Sequence, residues 1–174
     1  MASFFSHPAF PVALIVAKRN LLSKKLFWLC VILTCLPDVD VISFRFGIPY
    51  HSQWGHRGFT HSITFAVFIG LVSMLFSKKL EGSKKLVFCV TFLSTLSHTF
   101  FDALTNGGLG VAVFWPFDHS RYFLPVTPVE VSPIGVRGFL SFRGLIVVLS
   151  EIIWIWIPSM ILSFSLRKIF TRHT

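Results

Sequence analysis

Acidic residues are scarce in this sequence, since Asp and Glu together number only 7 of 174 residues, against 16 Lys and Arg. Charged residues of both signs make up 13% of the chain, whereas 53% of it is hydrophobic and its mean hydropathy is +0.73. A soluble globular domain usually carries about 25% charged residues, so the composition excludes an ordinary soluble domain. It predicts an integral membrane protein, and we expect a single domain over residues 1–174.

Cysteine is also rare. Cys30, Cys35 and Cys89 all lie inside apolar segments, and no two of them have CxxC spacing. The cysteines therefore predict neither a disulfide framework nor a zinc site with cysteine ligands. We interpret them as small core residues.

Apolar segments account for most of the chain, at 8–17, 26–42, 59–76, 86–104 and 145–166. Crossing a hydrocarbon core of about 30 Å takes about 20 helical residues, with a lower limit of about 17. The last four segments are long enough and the first is short. The sequence therefore predicts an all-α membrane bundle with about four transmembrane spans plus a short N-terminal helix. Basic residues follow the first apolar run instead of preceding it, so we expect no cleavable signal peptide.

The positive charges are divided unevenly between the two sides of such a bundle. If the segments alternate in direction, 11 Lys and Arg from 18–25, 78–85 and 167–172 fall on one side, which the positive-inside rule makes cytoplasmic. This distribution and contact with anionic lipid account for most of the net charge of +9, so we predict no nucleic-acid partner.

Five further arginines fall on the opposite, outer side: Arg45, Arg57, Arg121, Arg137 and Arg143. They are either ordinary interfacial residues or contacts to an anionic substrate, because a guanidinium group binds phosphate at two points.

Three short motifs place acids and histidines at the ends of apolar segments on that outer side. They are LPDVD at 36–40, HRGFTH at 56–61 and HTFFD at 98–102. Carboxylate and imidazole groups gathered at the rim of a membrane bundle predict a metal site, for which zinc fits best and manganese is the alternative. The candidate ligands are His7, Asp38, Asp40, His56, His61, His98 and Asp102.

The spacing of these residues supports the prediction only in part. His98 and Asp102 are four apart, so on a helix they project from one face, either toward one ion or as a structural pair. Asp38 and Asp40 repel each other unless a cation compensates them, although a helix cap would explain one of the two.

The two histidines of HRGFTH are five apart, which separates them by about 140° on a helix with 3.6 residues per turn. Gly55 and Gly58 permit a turn that would bring both His56 and His61 inward. We expect at least one of them to contact metal or substrate.

Two other regions leave alternatives open. The segment 105–138 carries four prolines and five glycines, which oppose a continuous helix. We expect it to lie on the outer side, either packed on the bundle or covering the site, with Asp118 and His119 as a weak ligand pair. Glu151 lies about 12 Å along the last span from Arg143 and is either its ion-pair partner, a protonated structural residue or, less favoured, a catalytic one.

Taken in order, LPDVD, HRGFTHS, LSHTFFDALTNGG and FWPF resemble the YdjM-like family of inner-membrane metal-dependent hydrolases. The resemblance extends over about residues 36–117, and the combination is more specific than any one motif. That family is placed with zinc-dependent phospholipase C and P1-type nucleases. The resemblance therefore implies a helical enzyme whose clustered metal ions cleave phosphoesters.

The resemblance also implies a ligand set. Asp38 or Asp40, a histidine of HRGFTH, His98 and Asp102 would share a first ion, and Asp102 would bridge to a second ion near His7. Few downstream residues are available as further ligands, so we expect one or two ions. Those residues are Asp118, His119 and Glu130.

A hydrolytic mechanism follows from general metal chemistry, because a divalent ion lowers the pKa of a bound water from about 15.7 toward about 7. We expect Asp38 or Asp40 to orient that water and Arg57 to hold the phosphate. Since the site would open at the outer, periplasmic surface, the expected partners are membrane lipids and the expected substrate is a phospholipid or another lipid-linked phosphoester. The alternatives are a non-catalytic metal-binding membrane protein and a metal or anion transporter. The sequence does not predict the oligomeric state.

Overall fold

The computed structural model describes residues 1–133 and 135–172, with side chains described as far as Ile169. In this part of the chain the α-helices are, in order, α1 Ala9–Ala17, α2 Lys24–Cys35, α3 Ile63–Leu75, α4 Lys84–Ala103, α5 Val136–Phe139, α6 Phe142–Glu151 and α7 Ile157–Arg172. Two 3-10 helices, Pro37–Phe46 and Phe59–His61, and a π-helical turn, Ile152–Trp156, complete them. The described residues contain isolated β-bridges but no strand, which confirms the all-α prediction for them.

Serine residues determine where three of these helices begin. In each case the serine hydroxyl accepts a hydrogen bond from the backbone N–H three residues later, which satisfies one of the free donors of the first turn. The pairs are Ser23 with Leu26, Ser62 with Phe65 and Ser83 with Leu86.

Helix α4 is the central element, because it packs against both α2 and α3, while α1 packs against α7. A Cβ at Gly70 of α3 would lie 3.0 Å from the ring of Phe88, so the absence of a side chain there allows α3 and α4 to approach closely. Val129 is buried against Phe101 of α4. The connection 105–138 therefore packs on the bundle at this point.

The described residues contain fewer candidate membrane spans than the sequence predicted. The helix α4 and the continuous helix Phe142–Ile169 are long and apolar enough to cross a membrane. A third span exists if α2 and the following 3-10 helix, which meet at a bend of 41°, act as one broken span. The prediction of about four spans is therefore too high, and the described chain is a helical membrane protein with two or three candidate spans.

The missing span is α3, which has only 13 residues. At 1.5 Å per residue it rises about 20 Å, which is short of the hydrocarbon core of about 30 Å. The apolar segment 59–76 is longer, but residues Phe59–His61 form a separate 3-10 turn and Ser62 starts a new helix. Hydropathy counts apolar residues and does not detect this interruption.

The basic segments lie together at one end of the bundle. The Nζ atom of Lys25 is 2.5 Å from the carboxylate of Glu81, so the start of α2 meets the connection between α3 and α4. Arg19, Lys24 and Arg167 line a common cavity at the same end. The segment from Lys84 to Asp102 is helical and about 27 Å long, so the acid and histidine motifs lie at the opposite end.

Candidate metal centre

His98 and Asp102 lie in the last two turns of α4, and both side chains are fully buried. The Nδ1 atom of His98 is 2.7 Å from the backbone carbonyl oxygen of Thr34 in α2. Because a carbonyl oxygen only accepts hydrogen bonds, this contact assigns the ring proton to Nδ1. The Nε2 atom of His98 is left as a lone-pair donor.

A tight turn positions the two histidines of HRGFTH. Arg57 has a left-handed φ of 62°, and a Cβ at Gly58 would lie 2.1 Å from the carbonyl oxygen of Gln53. Only glycine therefore fits at position 58. The turn points His56 and His61 toward the same carboxylate, that of Asp40, as the glycines of this motif predicted.

The carboxylate of Asp40 organises this turn. Its Oδ1 atom is 2.6 Å from Nδ1 of His56. Its Oδ2 atom accepts the backbone N–H of Arg57 at 3.0 Å and the hydroxyl of Thr60 at 2.6 Å, and it lies 3.3 Å from Nδ1 of His61. Both oxygens are thus occupied, which makes Asp40 a positioning residue for the histidines.

His61 has the same arrangement as His98. The hydroxyl of Thr60 donates its proton to Asp40, so its oxygen accepts from Nδ1 of His61 at 3.0 Å. The Nε2 atom of His61 then faces His98. A histidine whose Nδ1 donates to a fixed acceptor while its Nε2 faces a cluster of donors is the usual arrangement of a metal ligand.

Four residues converge at this point, namely Asp38, His61, His98 and Asp102, and each offers a ligand atom within 4.8 Å of the others. The Nε2 atoms of His61 and His98 are 3.0 Å apart. Oδ1 of Asp38 is 3.4 Å from Nε2 of His98, and Oδ2 of Asp102 is 3.5 Å from Nε2 of His61. Zinc lies about 2.0–2.2 Å from nitrogen and oxygen ligands, so two ligands of one tetrahedral ion are about 3.3 Å apart. These spacings fit one ion.

The electrostatics of the cluster also require a cation. Two imidazole lone pairs 3.0 Å apart repel each other unless a proton or a metal ion lies between them. Burial lowers the pKa of His61, but hydrogen bonds to Asp102 and Asp40 outweigh it and raise the pKa to about 9, so a proton can take this place. Oδ1 of Asp38 and Oδ2 of Asp102 are buried without hydrogen-bond partners among the described residues. A divalent cation would satisfy all four residues, so the donor set fits a metal.

A second group of possible ligands is formed by Asp38, Asp40 and His56. Both oxygens of Asp40 and Nδ1 of His56 already take part in hydrogen bonds, so an ion there would compete with them. The geometry therefore supports one ion more strongly than two. It also makes Asp38, which belongs to both groups, a better candidate for a shared ligand than Asp102.

His7 lies beside this cluster, just before α1. Its ring stacks on that of His98 with the centroids 3.9 Å apart, and its Nε2 atom is 3.6 Å from Oδ2 of Asp38. Burial lowers the pKa of His7, and neither ring nitrogen has a hydrogen-bond partner among the described residues. A neutral, buried imidazole of this kind is available as a further ligand.

Arg57 is fully buried, and its guanidinium group faces the protein. Its Nε atom is 3.0 Å from Oδ2 of Asp102, while its terminal nitrogens donate to the carbonyl of Gly107 and the hydroxyl of Thr105, both at 2.9 Å. The sequence assigned Arg57 to the phosphate of a substrate. The structure places it against Asp102 instead, where it orients that carboxylate.

Some supporting residues were not found from the sequence. Thr60 adjoins His61 within the HRGFTH motif, and this adjacency could have indicated that its hydroxyl contacts the histidine. The contact from His98 to the carbonyl of Thr34 could not be read from the sequence, because every residue type has a backbone carbonyl. Conversely, Asp118 bonds to Tyr122 and Ser120, and the ligand groups found within 1–133 and 135–172 include neither Asp118 nor His119.

Comparison with known proteins identifies the family. The family model described as "YdjM inner membrane protein" matches residues 1–173. The chain belongs to the YdjM family. Among curated proteins, the inner membrane protein YbcI of Escherichia coli (strain K12) is 35% identical over 165 residues, which cover 93% of this chain and 95% of YbcI. No solved structure matches the chain. Membership in the YdjM family agrees with the apolar composition and the candidate spans, and it makes the chain an inner-membrane protein.

Proposed function

We propose that this YdjM family member is a membrane-bound, metal-dependent hydrolase that cleaves a phosphoester of a phospholipid or another lipid-linked substrate. The observation that carries the proposal is the facing pair of Nε2 atoms of His61 and His98, 3.0 Å apart and flanked by Asp38 and Asp102. Such a set of nitrogen and oxygen donors suits zinc, with manganese as the alternative.

Each residue has a role in this proposal. His61, His98, Asp38 and Asp102 would hold one divalent ion, which when bound would act as a Lewis acid toward water and a phosphoryl oxygen. Asp40 orients His61 through its Nδ1 atom. Arg57 holds Asp102 in place, so its contribution to catalysis is indirect.

Access to the site is through Asp38. Its side chain is 14% exposed, whereas those of His61, His98 and Asp102 are fully buried. We therefore assign to Asp38, and not to Asp40, the contact with the attacking water and the approaching substrate. Asp40 has both oxygens in hydrogen bonds and is nearly buried.

The surroundings of Asp38 favour a lipid substrate. The 3-10 helix Pro37–Phe46 exposes large apolar side chains on the protein surface, with Val39 58%, Ile42 53% and Phe46 76% exposed. Apolar residues beside a polar site are typical of surfaces that contact the membrane. A substrate presented from the bilayer would reach Asp38 across this surface.

The positive-inside rule supports a periplasmic site. The basic segments lie at the end of the bundle that contains Lys25 and Glu81, and the site lies at the other end. If the basic end is cytoplasmic, the site opens on the periplasmic face of the inner membrane.

A non-catalytic metal-binding protein is the second candidate, and the burial of the site favours it. Three of the four ligand residues have no exposed side-chain surface, which suits a structural ion as well as a catalytic one. A transporter is less favoured, because transport requires polar groups along the depth of the membrane and these residues cluster at one end.

The test uses the full chain purified in detergent and reconstituted with zinc or manganese. Bound metal is measured by inductively coupled plasma mass spectrometry, and phosphoester cleavage in mixed phospholipid vesicles by phosphorus NMR. We expect Asp38→Asn to abolish hydrolysis and Asp118→Asn, a carboxylate outside the site, to leave it unchanged. Bound metal without hydrolysis of any phosphoester tried would favour the non-catalytic candidate, and a wild type that binds no metal would overturn both.

A further inference from the structure

The cavity at the basic end of the bundle is remote from the metal centre. It has a volume of about 650 Å³ and lies between the end of α1, the start of α2 and the last turns of α7. Three cationic residues from these separate elements line it, namely Arg19, Lys24 and Arg167. Among the described residues, none of those that line it is acidic.

The charges around this cavity suit an anion. Glu81, an acid of the same end of the bundle, forms its ion pair with Lys25, 2.5 Å away, and does not line the cavity. The three cationic side chains, Arg19, Lys24 and Arg167, therefore favour negative charge at the same place.

The other walls of the cavity are apolar and face the bilayer. Trp28 and Phe164 line it and are 63% and 53% exposed. Arg167 lies two residues before the end of the candidate span Phe142–Ile169, which is where a helix meets the headgroup layer. An exposed tryptophan next to basic residues is typical of this interfacial level. The charged group of a lipid bound here would lie among the basic residues, and its acyl chains would lie along the apolar walls.

We propose that this cavity binds an anionic phospholipid from the leaflet at the basic end. Arg19, Lys24 and Arg167 contact its phosphate group, and the acyl chains lie along Trp28 and Phe164. Basic cavities between membrane helices on the cytoplasmic side are known to hold anionic headgroups. The proposal does not depend on the reaction proposed for the metal centre.

The experiment is native mass spectrometry of the full chain in detergent, titrated with phosphatidylglycerol or phosphatidylcholine. We expect selective binding of phosphatidylglycerol and a loss of about 100-fold in its affinity in the triple variant Arg19→Gln/Lys24→Gln/Arg167→Gln, since each basic residue near an anionic surface contributes about fivefold. The matched control is Lys78→Gln/Lys79→Gln/Lys85→Gln, which removes the same charge at the same end from outside the cavity. It should retain the affinity of the wild type.

Three results would overturn the proposal: equal binding of the two lipids, an equal loss in both triple variants, or displacement of phosphatidylglycerol by inorganic phosphate, which would make the cavity a site for soluble anions. If the triple variant does not fold, the single variant Arg19→Gln tests the proposal instead, with its thermal unfolding measured in parallel. It should lose several-fold in affinity at an unchanged melting temperature.

Discussion

Ser3 donates both its backbone N–H and its hydroxyl to the carboxylate of Glu151, with the hydroxyl 2.6 Å from Oε2. Both residues are buried, and they are 148 positions apart in the chain. The contact attaches the N-terminal segment, which carries His7, to α6 immediately before the π-helical turn. Arg143, the partner considered for Glu151 from the sequence, is exposed and forms no ion pair with it among the described residues, where Ser3 contacts both carboxylate oxygens. Glu151 is therefore a positioning residue for the N-terminal segment.

Glu151→Ala should destabilise the protein by about 1–3 kcal/mol, because it leaves the buried donors of Ser3 without a partner. The double variant with Ser3→Ala should lose less than the sum of the two single changes, with a coupling of about 0.5–3 kcal/mol. Thermal unfolding in detergent measures both. Ser165→Ala, at an exposed hydroxyl that bonds only within its own helix, should show no coupling to Glu151→Ala. Additive losses for Ser3 would contradict the positioning role.

His61→Ala and His98→Ala should each lose the bound metal, because each removes one of the two facing Nε2 ligands. Metal content of zinc-reconstituted protein, by mass spectrometry, is the measurement. His51→Ala, at an exposed histidine outside the ligand groups, is the control and should keep its metal. Retention of metal by both site variants would place the ion elsewhere.

Asp40→Asn should weaken metal binding without abolishing it. Asp40 orients His61 and His56 with oxygens that already accept hydrogen bonds, and loss of such an orienting partner typically costs about 10–100-fold in affinity. Competition with a chromogenic chelator gives the affinity. A complete loss, equal to that of His98→Ala, would make Asp40 a ligand and would revive the two-ion arrangement.

Metal binding should depend on pH through His61. Its pKa of about 9 in the metal-free protein lies above the ordinary value of 6.5, so its protonated form stabilises the fold fully below pH 6.5, and this stabilisation is lost as the pH rises through 9. Because the ion needs the neutral Nε2 atom, binding should release about one proton between these values and strengthen with pH. Calorimetry in buffers of different ionisation enthalpy counts the protons. An affinity that does not change over this range would contradict the assignment.

Arg57→Gln should destabilise the protein by about 3–5 kcal/mol, since breaking a buried ion pair leaves an uncompensated charge on Asp102. Arg45→Gln, at an exposed arginine, should change stability little. Thermal unfolding and metal content distinguish the roles. If Arg57→Gln kept its stability and its metal but lost hydrolysis, the phosphate contact predicted from the sequence would be the better interpretation.

The membrane class and the short N-terminal helix were predictable, because both depend on the composition and the spacing of apolar residues. The number of spans was not. The break at Ser62 and the bend of 41° before Pro37 divide apolar segments that hydropathy reads as continuous. In these places local capping and the missing N–H of proline decide where a helix stops.

The sequence by itself determined which residues form the candidate site, because acids and histidines so rare in an apolar chain stand out at the ends of its segments. Only the tertiary structure decided their roles. In the structure, Nδ1 of His98 donates to the carbonyl of Thr34, and both oxygens of Asp40 accept hydrogen bonds from the turn at Gly58. The side chain of Asp38 is partly exposed. The physical reason is that a buried polar group must find partners, and those partners come from segments that are distant in the chain and meet only when the helices pack.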